Sequence, residues 1–528
     1  MLKVSNSMPI ANYSQVVISD NNSGATFKPK TNSRIRINLP TTLGMVDFKS
    51  SYLQFDTKIL PHANLGTSNS YLVDWGNRQG SEQIVRDLII RVDGRPLETI
   101  TNYNILDKVR KDYQKDMTLN NLHSIYNHAT LKADNPSYSA TEWDANTPTL
   151  TYNNVPQKNQ LHLDLSGLLS METGFPIVAS GNVEVEIILE DEENVLTSVH
   201  TLTGIDCSAI TEADGSLIKI SVSEAELLAL GWTTTDHPAV NGNVFKINGK
   251  EDGTAFATKY GKLTGDTAVD GSNIDLTCAF VAGTFGDTKT LTDVVIEFLP
   301  NVSDPADANT APVAISSTLW NYNVSNVEYV VRSVEMPPPY LNALQKRIQG
   351  EGLVMDIRTP TMYLANIQPN VGTQSLIVPC YSSRVQSVLS VPINTSQVHY
   401  QYNRRGQVDG LRNYQAKIGS RVEPQRPVDL TNWTTNLQHE YSSQEHIQEM
   451  TKSLEASGLK ERSLVNWRKS FVFGRSLSYA GGSEDLTDKG FRWEIQYNTN
   501  TNSAKLCYNY VHSIKRLQIV PTGVNIFG

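Results

Sequence analysis

The residues whose types and spacing could support catalysis form no complete active-site motif. His439-Glu440 begins the zinc-protease pattern, but HEYSS has no second histidine four positions after the first. The stretch Gly474-Arg-Ser-Leu-Ser478 lacks the final glycine of a nucleophile elbow and alternates like a strand. The stretch GKLTGDT at 261–267 does not complete a phosphate-binding loop. The sequence therefore predicts no catalytic residues, no cofactor and no cofactor-binding or metal-ligating residues.

Two charged clusters allow a binding role. Residues 190–193 are four consecutive acids at the end of a predicted strand, and they could hold calcium if carbonyl oxygens converged on them. A solvated turn is the favoured interpretation. Residues 404–405 are arginines flanked by Tyr400, Tyr402 and Tyr414, which could contact nucleic acid through phosphates and base stacking. Because the patch is small, we favour a charged hairpin tip at a subunit edge, with nucleic-acid contact weak or absent.

Composition limits the class of protein. The 528 residues include 45 basic and 54 acidic side chains, a formal net charge of -9, which argues against a protein that coats nucleic acid. A chain of this length predicts two or three domains. The four cysteines form no C-x-x-C pair and no cluster with histidine, so neither a disulfide framework nor a zinc site is predicted. This cysteine usage favours a reduced, intracellular setting.

No segment is suited to crossing a bilayer. The N-terminal stretch MLKVSNSMPIANYSQVVISDNNSG has no continuous apolar core of the secretory type, and no apolar run approaches the roughly 20 residues that span a membrane. We therefore expect no membrane insertion. Asn, Thr and Ser are abundant, and valine and isoleucine recur in short alternating runs that turn residues separate. This composition is typical of an all-β sandwich or barrel.

The first half of the chain combines strand patterns with one helix. Residues 1–30 are polar and show no sustained period, which predicts an arm that orders only against another molecule. Asp93-Gly94 predicts a tight hairpin turn, because both residues tolerate the positive φ angles that such a turn needs. The apolar residues of 103–113 fall on one helical face. Strand patterns occur at residues 35–39, 53–59, 161–165 and 183–189.

Residues 201–310 differ in composition from the rest of the chain. They contain no arginine, 6 lysines and 16 acidic residues, a net charge of -10, while the remainder of the chain is about neutral at +1. Gly, Thr and Asp dominate, with strand-like pieces such as 294–299. This pattern predicts an inserted, acidic, mostly β module that is exposed to solvent.

A long strand followed by a proline stop separates two similar halves. Residues 327–332 alternate in the period-2 pattern of a strand with one buried face. Residues 337–339 are prolines and end that strand, because proline cannot donate to a sheet ladder. Leu341, Leu344 and Ile348 then recur at helical spacing. We interpret this stretch as a joint between two bodies of similar design.

The second half repeats the order of signals of the first. Gly419-Ser420 follows a strand as a hairpin turn, and a proline-bearing return covers 422–430. A helix over SSQEHIQEMTKSLEASG follows, with Gly458 as its C-cap, and residues 491–497 alternate as a later strand. Each half is thus predicted to be an antiparallel β-sandwich. The predicted fold class is all-β, two tandem jelly-roll β-sandwiches with short helices in loops and an inserted β-rich module.

The order of short segments in both halves carries a resemblance to a known family. In the first half these are LIIRVDG (88–94), ETITNYN (98–104), GFPIV (174–178), VEVEIIL (183–189) and YNVSNVEYVV (322–331). In the second half they are NYQAKIG (413–419) with Pro424 and Pro427, and VHSIKRLQI (511–519) with Gly523. Over roughly residues 30–198 and 312–528 the chain resembles the double jelly-roll major capsid proteins of icosahedral double-stranded DNA viruses. The closest likeness is to those of virophages, polinton-like viruses and large eukaryotic DNA viruses.

The resemblance implies a division of the chain and a function. The expected parts are an N-terminal arm at 1–30, the main part of the first jelly roll at 31–200, an acidic insertion at 201–310 on the outward tower, the last strand and proline joint at 311–338, and the second jelly roll at 339–528. The chain would be a non-enzymatic major capsid protein. Its homotrimers would form pseudo-hexameric capsomers that tile an icosahedral shell, in a virion assembled inside the infected host cell. Expected partners are neighbouring capsomers, penton proteins and minor or cement capsid proteins.

Two other classes of function stay open at this point. Jelly rolls also occur in glycan-binding or adhesive proteins, and fold alone does not decide function. A secreted adhesin generally has a signal peptide and disulfides, and this chain has neither pattern. A carbohydrate-active enzyme would need two carboxylates that converge in a cleft, which a sequence without a motif neither predicts nor rules out.

Overall fold

Alternating apolar and polar residues place most of the described chain in antiparallel strands. The structure, a computed structural model, describes residues 12–22, 24–61, 70–75, 80–113, 141–144, 157–198, 201–211, 218–223, 244–251, 254–263, 268–270, 273–282, 289–299, 320–394, 406, 410–430, 444–458, 471–479, 482–497 and 504–528. Among these residues strands predominate and helices are short.

The elements follow one another in chain order. The strands up to the proline joint are β1 (Asn12–Ser19), β2 (Arg34–Leu39), β3 (Met45–Pro61), β4 (Ser70–Trp75), β5 (Val85–Val92), β6 (Arg95–Ile100), β7 (Thr141–Asp144), β8 (Gln157–Leu161), β9 (Val183–Leu189), β10 (Leu196–Ser198), β11 (Thr201–Thr211), β12 (Ile218–Ser223), β13 (Val244–Glu251), β14 (Thr254–Leu263), β15 (Ala268–Asp270), β16 (Asn273–Ala282), β17 (Lys289–Leu299) and β18 (Trp320–Glu335). The later strands are β19 (Leu353–Ile367), β20 (Thr373–Val378), β21 (Val385–Asn394), β22 (Leu411–Ile418), β23 (Arg421–Asp429), β24 (Phe473–Ser476), β25 (Phe491–Tyr497), β26 (Lys505–Val520) and β27 (Gly523–Phe527). The α-helices are α1 (Tyr103–Tyr113), α2 (Ile177–Ser180), α3 (Glu192–Val195), α4 (Pro338–Gly350) and α5 (Gln444–Ser457), and 3-10 turns cover Thr41–Leu43 and Gly80–Ile84.

The two halves have the same strand order. The first contains sheets β1-β18-β3-β8 and β2-β9-β5-β6, and the second contains sheets β19-β26-β21-β24 and β20-β25-β22-β23. If the eight strands of each half are counted along the chain, both halves pair as 1-8-3-6 and 2-7-4-5, which is the jelly-roll arrangement. The predicted all-β fold of two tandem jelly rolls is therefore confirmed.

The predicted arm at residues 1–30 contains the first strand of the first jelly roll. Strand β1 pairs with β18 along its whole length, and Phe27, further along, is buried in the core. The sequence pattern concealed this strand, because β1 lies at a sheet edge and leaves Tyr13 and Val17 exposed. The expectation of a free arm was therefore wrong for this part, and residues 1–11 lie outside the described part of the chain.

The turn and helix predictions agree with the structure. Asp93 and Gly94 have φ angles of 51° and 73° and join β5 to β6. Strand β18 ends at Glu335, two residues before the proline that caps α4. One strand is shorter than expected: β8 ends at Leu161, and Leu163 is buried in the turns that follow. Its alternation therefore reflects a buried turn and not a continued strand.

Long connections leave both jelly rolls at one end. Because successive strands run in opposite directions, the connections after the third, fifth and seventh strands lie at the same end, which we call the loop end. In the first jelly roll these connections are residues 62–84, 101–156 and 190–319, and in the second the third and fifth strands are followed by 395–410 and 430–472. The tight turns 93–94 and 419–420 lie at the opposite end, which we call the turn end.

The loop end of the first jelly roll carries two further sheets. Strands β4, β7 and β10 come from three different connections and pair in the order β10-β4-β7. In the predicted insertion, β12 pairs with both β11 and β16, so six strands close into a ring in the order β11-β17-β13-β14-β16-β12, with β15 beside β16. The predicted β-rich insertion is thus confirmed, between the seventh and eighth strands of the first jelly roll.

Candidate assembly surface

The described part of the chain offers little for metal or membrane chemistry. No group of three or more His, Cys, Asp or Glu side chains that could hold a metal ion occurs among the residues given above. Within the same residues, no helix has the length and apolar character needed to cross a membrane. His439-Glu440 and the arginines of 404–405, with Tyr400 and Tyr402, lie outside the described residues.

Two residues from the sequence-based candidates have structural roles. Tyr414, expected beside the arginine pair, is buried in the second core, where its hydroxyl lies 3.0 Å from His446 Nδ1, so it is not available for stacking on a base. Gly474 lies in β24, and a Cβ at this position would come within 2.7 Å of Leu389 Cδ2. This glycine therefore permits close packing between neighbouring strands and α5.

The acidic run 190–193 was expected to be a solvated turn, and this expectation is wrong for its first residue. Glu190 is buried, and its carboxylate accepts hydrogen bonds from Asn104 Nδ2 at 2.8 Å and from Asn194 Nδ2 at 3.0 Å. Tyr322 donates its hydroxyl to the Glu190 carbonyl oxygen. The interpretation failed because a strand end can turn back under the sheet, where amide donors replace water as partners of the carboxylate.

Two antiparallel strands, β6 of the first jelly roll and β26 of the second, lie at the centre of the contact between the jelly rolls. We define the joint as β6 and its flanking residues on the first jelly roll and β19, β26 and β27 on the second. Tyr510 donates its hydroxyl to the Asn102 carbonyl oxygen, and Lys515 Nζ donates to the Leu97 carbonyl oxygen, both at 2.8 Å. Nearer the turn end, Arg95 donates to the Val524 carbonyl oxygen.

The order of these contacts fixes the relative orientation of the jelly rolls. From one contact to the next, the residue number rises on β26 and falls on the segment of β6, so the two strands are antiparallel. Strand β6 is the fifth strand of its jelly roll and β26 the eighth of the other, and within one jelly roll the fifth and eighth strands also run in opposite directions. The two jelly rolls therefore have the same orientation, with both loop ends on one side.

Close backbone approach and shared apolar packing hold the joint together. A Cβ on Gly167 would lie 2.0 Å from the Arg358 carbonyl oxygen on β19, so any side chain there would require the backbones to separate. One continuous hydrophobic core extends across both jelly rolls, and on the second it includes Ile357 and Leu517. The second jelly roll also has a separate core of its own.

A buried glutamate and a half-buried lysine interact electrostatically inside the joint. Glu98 is fully buried, and its carboxylate accepts hydrogen bonds from the Ser166 hydroxyl and from the Gly167 amide, the latter at 2.9 Å. Burial raises the pKa of Glu98 to about 7, although these hydrogen bonds and the charge of Lys515 oppose the rise. Burial also lowers the pKa of Lys515.

Two of these joint residues have a weak signal in the sequence. On β6, Glu98 is two residues from the buried Ile100 and lies on the same face of the strand. On β26, Lys515 is likewise two residues from the buried Leu517 and on its face. A charged residue at a position whose neighbours on the same face are buried indicates a buried ion or an interface. Glu98 and Lys515 were nonetheless not among the predicted site residues. Nothing in the sequence connects Arg95 with Val524, because the contact depends on how the two halves pack.

A face equivalent to the joint is open on the first jelly roll. Val46 and Val385 are equivalent, because each forms the bridge from the third strand to the connection between the sixth and seventh strands. In both jelly rolls the third strand pairs with the eighth, and the eighth pairs with the first. When positions are followed from Val46 and Val385 through these pairings, Val17 of β1 is equivalent to Met362 of β19. Met362 packs against the core that spans the joint, whereas Val17 and its neighbour Tyr13 are 49% and 47% exposed.

Strand order and orientation together define the protein as a double jelly roll. Among solved structures, the Faustovirus major capsid protein has 10% sequence identity and a TM-score of 0.52, with 98% of this chain and 92% of that chain covered. The quasi-atomic model of the PBCV-1 virus capsid has 8% identity and a TM-score of 0.47 over 99% and 98% of the two chains. The Sputnik virophage structure has 10% identity and a TM-score of 0.44 over 98% and 88%.

The similarity to the Faustovirus major capsid protein confirms the predicted resemblance at the level of the fold. No protein-family model matches the chain, and no curated protein matches its sequence. The Faustovirus protein shares the fold over nearly the whole length of both chains. At an identity near 10% the fold is what the comparison establishes.

Proposed function

We propose that the protein is the major capsid protein of an icosahedral virus and acts as a structural subunit, not as an enzyme. The observation that carries this proposal is the pair of jelly rolls in one orientation, joined along β6 and β26, with an equivalent joint face left open. The fold shared with the Faustovirus major capsid protein supports it. The protein is accordingly a component of the virion, assembled inside the infected host cell.

The open joint surfaces support a homotrimer. Within the chain, the fifth-strand edge of the first jelly roll packs on the second, and the corresponding edge of the second jelly roll is β23, with Arg421 and Arg426 exposed. In our proposal, β23 of one copy packs on the β1 and β18 face of the next. Such head-to-tail contacts close into a ring when the repeated rotation completes a full turn, which here requires three steps. Six jelly rolls in a ring correspond to three chains and give a pseudo-hexameric capsomer.

The two ends of the jelly rolls then face opposite sides of the shell. In this proposal the loop end, with the acidic insertion and the sheet β10-β4-β7, forms the outward tower, where a net charge of -10 over residues 201–310 keeps the surface hydrated. The turn end faces inward. Strand β1 runs from the turn end to the loop end, so residues 1–11 enter at the inner side, where we expect them to act as the arm that orders against a neighbour.

Assembly needs contacts beyond the trimer. Neighbouring capsomers, penton proteins and minor or cement capsid proteins are the proposed partners of the trimer's outer faces. Stable interfaces of this kind bury roughly 2,000 Å² or more, with an apolar centre and a polar rim. Within the trimer, the exposed side chains Tyr13 and Val17 have the apolar character of such a centre.

The experiment that tests this proposal measures association directly. Light scattering of the purified chain should give three times the mass of one chain, and electron microscopy of the same material should show a hexagonal outline. The double substitution Tyr13→Glu and Val17→Glu should give monomers with unchanged circular dichroism, because it charges the centre of the proposed contact. Val178→Glu is the matched control, since Val178 is equally exposed but lies outside the contact. A wild-type chain that stays monomeric and binds glycans would instead support an adhesive protein.

A further inference from the structure

Two large apolar side chains at the turn end of the second jelly roll are unusually exposed. Tyr381 and Ile377 are 72% and 69% exposed, more than any other large apolar residue in the described part of the chain. They flank a concavity of about 240 Å³ whose wall also includes Lys417, Lys489 and Arg492. We call these five residues the turn-end patch. Exposed apolar groups ringed by polar groups mark interaction sites more often than bare surface does.

The turn-end patch contrasts with the equivalent row of the first jelly roll. Ile377, Arg492 and Lys417 are direct neighbours on three adjacent strands and share the outer face of the sheet. Lys417 forms no ion pair with any residue that the structure describes. The equivalent row on β2, β9 and β5 is polar, and there Arg91 Nη1 lies 2.6 Å from Glu184 Oε1. Arg492 Nη2 lies 3.5 Å from Glu494 Oε1, so among the described residues Lys417 is the open cation of this row, whereas the equivalent Arg91 is neutralised.

Strand β20, which carries Ile377, has a free edge. It lies at the end of its sheet and pairs with β25 alone in the described structure. In the first jelly roll the chain between β1 and β2 lies along the equivalent edge, where the Asn21 amide donates to the Arg36 carbonyl oxygen at 2.9 Å. In the second, the connection is only residues 368–372, and the Gln374 side chain ties it to itself. The main-chain groups of β20 are therefore available to another strand.

From these contacts we infer that the free edge of β20 and the turn-end patch bind an extended acidic segment of a different protein, which adds a strand to the second jelly roll. The free edge supplies main-chain hydrogen bonds that a peptide strand can complete but a lipid headgroup or a phosphate group cannot. Arg492 and Lys417, one and two strands inward from that edge, add positive charge that favours an acidic segment. The concavity between Ile377 and Tyr381 accepts one apolar side chain.

A second copy of this chain does not suit the site. Its strongly acidic part, residues 201–310, belongs to the connections of the loop end, whereas the turn-end patch lies at the other end. The inference goes beyond the proposed function, because it concerns a different partner and a surface distinct from β1, β18 and β23. It also accounts for the apolar side chain of Ile377 at this free edge, where a charged residue would discourage strand addition.

The test uses the full-length protein and synthetic nine-residue peptides. One set alternates glutamate with threonine and carries alanine, leucine or phenylalanine at the centre. A second set replaces each glutamate with lysine, and a third places proline at alternate positions to remove main-chain donors. Fluorescence anisotropy should show the acidic peptides with central leucine or phenylalanine binding at least tenfold more tightly than the other peptides.

Substitutions locate the binding site. Lys417→Glu with Arg492→Glu should weaken binding of the acidic peptides at least tenfold, and Ile377→Asp should remove the preference for a central apolar residue. Lys346→Glu, on the exposed face of α4, is the matched charge control and should leave binding unchanged. Light scattering on every variant separates this test from the trimer proposal, since these variants should keep the mass of the wild type.

Several results would overturn the inference. Equal binding of the glutamate and lysine sets would remove the role of charge, and undiminished binding of the proline set would remove strand addition. Binding of anionic lipid vesicles or of single-stranded DNA at the turn-end patch, without binding of peptides, would assign the surface to those ligands. Loss of association in the Ile377→Asp variant would assign it to contacts between copies. Absence of binding by every peptide would also count against the proposal.

Discussion

The two jelly rolls share every strand pairing but have different interiors. The position between the sheets that Val185 occupies in the first is occupied by Trp493 in the second, as the registers of β9 and β25 show. Trp493 packs edge-to-face on Phe473 and Phe491, with ring centroids 5.1 Å and 5.0 Å away. Topology therefore follows the alternation of apolar and polar residues, and aliphatic or aromatic side chains fill the same architecture.

The outer surfaces of the jelly rolls differ for another reason. The first strand of the second jelly roll is covered by the joint around Met362, whereas the equivalent part of the first strand of the first jelly roll is open at Tyr13 and Val17. A repeated unit in one chain cannot have all of its equivalent faces covered from within the chain. The uncovered faces are then the natural places for contacts between chains.

The largest expected effect comes from removing a core side chain in each jelly roll. Trp493→Ala should lower the free energy of unfolding by about 3–5 kcal/mol, because it removes the centre of an aromatic cluster. Val185→Ala at the equivalent position should cost about 2 kcal/mol, because only two methyl groups are lost. Urea unfolding provides the comparison. It is followed by tryptophan fluorescence for the second jelly roll and by circular dichroism for both jelly rolls. Equal losses would show that the two interiors are not packed differently.

The next effect tests the joint. Gly167→Ala should destabilise the protein by about 3 kcal/mol, because its Cβ would overlap the Arg358 carbonyl oxygen. Gly350→Ala is the matched control, since a Cβ there meets no atom within 4 Å and alanine is the better helix former. Thermal unfolding should therefore show a lower Tm for the first variant and an unchanged or higher Tm for the second. A Gly167→Ala protein as stable as wild type would show that the jelly rolls are not in close contact.

The pH dependence of the joint depends on Glu98. Its folded pKa of about 7 lies above the value of an unfolded glutamate, so the folded state binds more protons between the two values. Stability should therefore fall as pH rises from 5 to 8, by roughly 2 kcal/mol from this group. Glu98→Gln should flatten that dependence, because the amide oxygen can still accept the Gly167 hydrogen bond without carrying a charge.

Thermal unfolding across this pH range is the measurement for Glu98. Glu494→Gln, on the outer face of β25, provides an exposed control and should leave the wild-type slope in place. Lys515 acts in the opposite sense, because its folded pKa is lowered, and its effect belongs to more alkaline pH. A Glu98→Gln variant with the wild-type slope would show that Glu98 does not titrate within the joint.

Much of the fold could be predicted from the sequence, because strands with one buried face alternate regularly. The strands 183–189 and 491–497 show clear period-2 patterns, and Asp93-Gly94 identified its turn from backbone preferences alone. Strand β1 was missed, since an edge strand covered on one side only has exposed apolar residues and no clean period. Leu163 was wrongly predicted to lie in a strand, because apolar and polar residues can alternate in a buried turn as they do in a strand.

The candidate assembly surface could not be predicted in the same way. The joint depends on tertiary contacts between residues more than 400 positions apart, such as Arg95 with Val524 and Tyr510 with Asn102. The proline stop at residues 337–339 carried no information on the relative orientation of the two jelly rolls. That orientation follows from strand directions across the joint, which are a property of the folded chain.

The smallest expected effect on the free energy of unfolding comes from replacing one of two equivalent cations on the outer sheet faces, Arg91 and Lys417. Glu186 is buried beside Arg91, whose Nη1 lies 2.6 Å from Glu186 Oε2. Burial raises the pKa of Glu186, but the hydrogen bonds and charges of Arg91 and Arg36 lower it, and the net shift is downward. Arg91→Met should therefore cost about 1–3 kcal/mol near neutral pH, because a buried carboxylate loses a partner.

Because the pKa of Glu186 is lowered, the cost of Arg91→Met should shrink as pH falls through that folded value, where the carboxylate takes up a proton. Lys417→Met should change stability by less than about 0.5 kcal/mol at any pH, since Lys417 has no ion-pair partner among the described residues. Urea unfolding of both variants at neutral and acidic pH makes the comparison. A stability loss for Lys417→Met as large as that for Arg91→Met would mean that the turn-end patch stabilises the second jelly roll instead of serving a partner.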